Sequence, residues 1–188
     1  FLETLRDIPE RTTDPLMGEI RLRWWYEAVE EIEQGRPVRY HPLTDALKAM
    51  IARYDLPAKD FLDLIEGQMP LLDKGALTIK AALGVVDHGE GHLFRMAAKI
   101  LGAAADLTDI ARLHGMTRIK ATRGLSDAGE MEFAHLKREA QKAAKQLPAS
   151  LMPLALPSTL AAIYWQGGRP GPLAKRFRLF WSFVTGRI

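Results

Sequence analysis

Apolar residues recur along most of this chain at helical spacing, and no convincing run alternates at the two-residue period of a strand. Phe1, Leu2, Leu5 and Ile8 predict the end of a helix that Pro9 closes, and Thr12 to Asp14 form a polar link. The next helix fills Asp14 to Gly35: Asp14 suits an N-cap, Pro15 the first helical position, and Gly35 with Pro37 a stop. Met17, Ile20, Trp24 and Ala28 make its stripe, and Leu22, Trp25, Val29 and Ile32 widen it enough to predict burial on more than one side. Glu19 precedes Arg23 by one helical turn, the favourable order for a surface ion pair.

Further helices are predicted from Leu43 to Tyr54, from Asp60 to Leu72, and from Ala76 to Leu101, where Gly89 and Gly91 mark a weak point or kink. Asp106 to Thr122 and the strongly charged Glu130 to Leu147 follow. Leu151 to Trp165 is apolar with a proline-broken start, GGRPGP at 167–172 is a turn, and Leu173 to Thr185 is the last helix. The pattern predicts an all-α helical bundle in one domain, 1–188.

Composition narrows the function classes. At 47% hydrophobic and 26% charged, the 188 residues have the balance of a globular core rather than a disordered chain. The excess of 26 basic over 23 acidic side chains is small and dispersed, so it predicts no nucleic-acid partner. Without cysteine there is no disulfide framework, thiolate metal site or cysteine nucleophile. The apolar run 151–163 is broken by Pro153 and Pro157 and falls short of the roughly 20 residues of a membrane span, and no signal-peptide layout opens the chain. A cytoplasmic protein is expected, and Phe1 in place of methionine implies sequence upstream.

Several stretches carry a likeness to a known family. DPLMGEIRLRWWYEA, GRPVRYHPLTDALKAMIARYDLP, LFRMAAKILG and LTDIAR, taken in order, resemble the squalene/phytoene synthases, the head-to-head prenyl transferases. The resemblance implies the all-α isoprenoid synthase fold, with its N-terminal helix missing from this chain, and prenyl diphosphates or other isoprenoid lipids as ligands. It also implies Mg²⁺ ions held between two D-x-x-x-D motifs, because ionising a prenyl diphosphate needs hard cations on the departing pyrophosphate. This chain contains no Asp-x-x-x-Asp. In the family's register the first motif falls at Asp7, with Arg11 four residues on and Glu10 the nearest acid; the second falls on Leu113 and Thr117, with Asp109 beside them. Asp7, Glu10 and Asp109 are therefore the remaining candidates for catalysis, and no resident metal is expected unless the chain is an active Mg²⁺-dependent prenyl transferase. Loss at both motifs resembles a branch that includes a mitochondrial factor for respiratory complex I assembly, which implies a lipid-binding or assembly role, peripheral to an inner membrane.

Other constellations carry a bland and a sharp reading. The pairs Asp60/Asp63 and Asp106/Asp109 read first as solvated helix faces. In His88-Gly-Glu90-Gly-His92 two histidines one turn apart suggest a metal-dependent hydrolase, but a third ligand is not evident. The family register instead puts His88 and His92 on a ligand-cavity wall, and a lipid-binding role would have Trp24 or Trp25 line part of that cavity. Arg21, Arg23, Arg36 and Arg39 read as surface charge before phosphate ligands. The last helix, 173–185, interleaves Lys175, Arg176 and Arg178 with Phe177, Phe180, Trp181 and Phe183. We expect the aromatic stripe to pack inward; the alternative is peripheral contact with a membrane.

Overall fold

Asp14 caps the tryptophan helix as its position predicts: its side chain accepts a hydrogen bond from the Leu16 N–H, and Pro15 occupies the first helical position. The computed structural model describes residues 1–186 and 188, and among these there are helices and turns but no strand, only an isolated bridge between Leu77 and Leu125. The chain divides into two compact units, Phe1–Lys74 and Gly75–Ile188.

The first unit comprises α1 (Leu2–Arg11), α2 (Pro15–Glu33), α3 (Pro42–Tyr54) and α4 (Ala58–Glu66), followed by a 3-10 turn at Met69–Leu71. Pro9 lies inside α1 rather than closing it: it removes one N–H, and the helix continues until the Thr12 N–H reaches the Ile8 carbonyl. Gly67 and Pro70 end the fourth helix early, so the expected run to Leu72 breaks into α4 and the turn. Helix α2 packs on α1, α3 and α4. Its buried line is Gly18, Leu22, Trp25, Val29 and Ile32 with Ala28, while Leu16, Met17 and Ile20 are exposed. One face is covered, not several, because the two tryptophans diverge: Trp25 is buried edge-on to Phe1 and His41, and Trp24 is half-exposed. Gly18 belongs to the covered line because a Cβ there would sit 2.2 Å from a Leu72 methyl. Each large apolar side chain buried on this line contributes about 1.5–3 kcal/mol.

The second unit is organised around α7 (Thr108–Thr122). It packs against α5 (Ile79–Val86), the π-helical segment Asp87–Gly91, α8 (Glu130–Ala144) and α10 (Ala161–Trp165). The expected long helix over 76–101 is thus α5, the π segment and α6 (His92–Ile100), with the break on the glycines. Ile110, Leu113, Met116 and Ile119 bury the inner face of α7 completely, and at Gly115 an added Cβ would meet Val86 at 2.6 Å. After a 3-10 turn at Ala149–Leu151, the prolines split the expected helix over 151–165 into α9 (Met152–Ala155), a second 3-10 segment Leu156–Leu160, and α10. Trp165 stacks on Phe133 at 4.4 Å and donates its indole N–H to Glu130.

The closing helix, α11 (Pro172–Thr185), overturns the inward-packing expectation. It rests on the Leu156–Leu160 segment, yet Ser182 is its one buried residue among those described, and Phe177 and Trp181 are 66% and 58% exposed. The stripe is amphipathic, as read, but it faces solvent.

Candidate functional site

The residues that the family register assigns to metal binding do not form a carboxylate clamp within either unit. On α1, Asp7 pairs with Arg11 at 3.4 Å, and Glu10 is exposed on the same helix. On α7, Leu113 is buried in the core, and the buried Thr117 hydroxyl donates back to the Leu113 carbonyl at 2.7 Å. Asp109 is half-exposed one turn earlier, at a surface cleft shared with Glu139 and Lys142. Asp106 lies two residues before α7 begins and accepts from the Thr108 N–H at 2.9 Å; the Thr108 hydroxyl and this backbone N–H hold its carboxyl below the usual range. Asp60 and Asp63 are not on a solvated face. Both are buried, and Asp63 takes a 2.6 Å ion pair from Lys59, whose ammonium is raised by that contact.

In the first unit, Trp24 joins Leu16, Ile20 and Met69 along an open groove of about 520 Å³, bordered by Arg23 and Arg39. Trp25 is part of the core instead. Arg39 reaches Glu31 at 2.7 Å and Glu27 at 3.0 Å, and its guanidinium lies 5.4 Å from the Trp24 ring centre. Hydrogen bonds from the Arg39 guanidinium and its backbone N–H lower the Glu31 carboxyl to about 2. Arg23 turns to Glu27, not to the expected Glu19, because the next turn offers a carboxylate that Arg39 already holds in place. These arginines are engaged with acids, in keeping with surface charge.

In the second unit, the π segment sorts the HGEGH run by face. Glu90 is fully buried and accepts from Arg118 Nε at 2.7 Å. His88 and His92 point the other way, their ring centres 6.2 Å apart, with His88 Nδ1 against the Gly84 carbonyl and His92 Nδ1 near Arg95. They line a cleft of mixed polarity, about 410 Å³, with Asp106 and Arg112. The Arg112 guanidinium is raised by its paired hydrogen bonds to Asp87. The glutamate of a peptidase-like trio is therefore spent on Arg118, on the opposite side of the segment from the histidines.

A second cavity of about 370 Å³ lies between α7 and the 157–164 segment, lined by His114, Thr117, Leu160, Ala161 and Tyr164 among others. Its walls are mainly apolar. No sequence motif marks it, because its lining is assembled from residues some 40 positions apart; Thr117 alone was singled out, for the acid it lacks.

Helices without a strand among the described residues, with α7 as the hub of the second unit, define an all-α protein, consistent with the isoprenoid synthase type. The squalene/phytoene synthase family model matches residues 1–119, and the chain belongs to that family. A search of curated proteins and a search of solved structures found no match. No helix among the described residues is long and apolar enough to cross a membrane.

Proposed function

We propose that the chain keeps the family's helical framework to bind an isoprenoid or related lipid, and has given up Mg²⁺-dependent ionisation of prenyl diphosphates. The observation that carries this reading is the mainly apolar cavity at Thr117, the position where the family register calls for an acid. Mg²⁺ takes hard oxygen ligands, and a core leucine with a threonine bonded to its own helix is not such a donor set. Asp7 and Asp109 do not repair it, the one paired with Arg11 and the other beside Lys142 at the surface. A cavity of this volume with apolar walls suits a hydrocarbon chain, which Leu160, Ala161 and Tyr164 would contact.

Titration of geranylgeranyl diphosphate into the protein, with Mg²⁺ and then with a chelator, tests the binding mode. We expect affinities within about threefold of each other, and a drop of at least about tenfold for Ala161→Trp, which fills the cavity. A Mg²⁺-strengthened affinity that Ala161→Trp leaves unchanged would overturn the proposal. The finer role, as a factor in respiratory complex I assembly, rests on the likeness of GEIRLRWW and its neighbours to that branch. Deletion in the source organism is then expected to lower complex I activity; unchanged activity would reject that role.

A further inference from the structure

The polarity of α11 is inverted relative to a helix that packs a core. Leu173, Phe177, Phe180, Trp181 and Val184 follow one another at i, i+4, i+7, i+8 and i+11, a single stripe, and all five are 58% exposed or more. The opposite line, Lys175, Leu179 and Ser182, is the one turned inward, with the Lys175 ammonium 5.6 Å from the Tyr164 ring centre. The Phe177 and Trp181 rings lie stacked, 6.3 Å apart, on the outward stripe. Arg176 and Arg178 are both exposed and fall on either side of that stripe at about 100° per residue.

We propose that α11 docks this protein on an anionic lipid surface, with its outward aromatic stripe in the headgroup–acyl boundary and the two arginines on lipid phosphates. Charge selects this occupant. From Gly167 to the last residue there are five basic side chains and no acidic one. A second copy paired through the same face would bring Arg176 and Arg178 against their own equivalents, a like-charge contact that a twofold interface repeats. Anionic headgroups supply the missing negative charge without that repulsion. Length sets the mode: 14 residues rise about 21 Å, short of a roughly 30 Å hydrocarbon core, so the helix lies in the plane of the interface. The inference is independent of what the Thr117 cavity binds.

Flotation of the full chain with vesicles of phosphatidylcholine, alone or with about one-third phosphatidylglycerol, tests it. We expect binding to the anionic vesicles at least about tenfold stronger than to the neutral ones, weakened by salt. Phe177→Ser/Trp181→Ser is expected to reduce binding about tenfold or more with an unchanged circular dichroism melt, since both side chains are exposed; Arg176→Glu/Arg178→Glu is expected to remove the preference for anionic lipid. No binding to anionic vesicles would overturn the proposal. So would binding that both double variants leave intact, or a dimer in light scattering that Phe177→Ser/Trp181→Ser dissociates while vesicle binding is absent.

Discussion

Glu90 is a carboxylate with no exposed surface, and the Arg118 guanidinium at 2.7 Å is a contact that helps to balance it. Removing one partner of such a pair costs about 3–5 kcal/mol, because the charge that stays behind has lost its compensation. Arg118→Met is therefore expected to lower the urea midpoint strongly, and Glu90→Gln in the same chain to recover much of the loss. Close packing sets a second residue-scale cost. At Gly115 a methyl group would lie 2.6 Å from Val86 and 3.0 Å from the Glu90 carboxyl carbon, so Gly115→Ala should destabilise by about 1–3 kcal/mol in the same assay. Neither residue was legible as important beforehand. Glu90 read as the middle of a histidine pair, and only the π segment, which turns it inward, shows its use. Asp60 and Asp63 misled in the same way, because an acid on a helix is exposed by default and nothing local announces burial.

At the scale of elements, α2 and the loop after it form one electrostatic assembly. Arg39 brings the chain at 36–41 back onto Glu27 and Glu31 and over Trp24. The Glu31 carboxyl in the fold is near 2, below its ordinary 4.5, so the contact's contribution is complete above pH 4.5 and is lost as pH falls from there toward 2. The Trp24 indole resonance is expected to shift in that acid window, and Arg39→Ala to abolish the shift. A shift that persists in Arg39→Ala would assign the effect elsewhere. The start of α2 was legible because Asp14 and Pro15 carry the cap chemistry themselves. Helix α11 was half legible: periodicity reveals a stripe, but which line of the helix is covered depends on the neighbour it meets, here the Leu156–Leu160 segment. The break at Gly89 and Gly91 was visible, whereas its π geometry, set by packing against α7, was not.

For the whole molecule, the all-α class followed from helical periodicity without strand alternation, and the family from text spread in order over much of the chain, matched through residue 119. Gly75, read as an interruption, begins the second compact unit. The mainly apolar cavity at Thr117 was not legible, since it exists only once the 157–164 segment is folded beside α7. The central claim is that a fold built for prenyl diphosphate chemistry here holds a lipid without performing it. Pyrophosphate release over many turnovers, with farnesyl or geranylgeranyl diphosphate and Mg²⁺, tests this most directly. The account predicts release no faster than a protein-free control. Mg²⁺-dependent release that rises in proportion to protein concentration would contradict it and identify an active prenyl transferase.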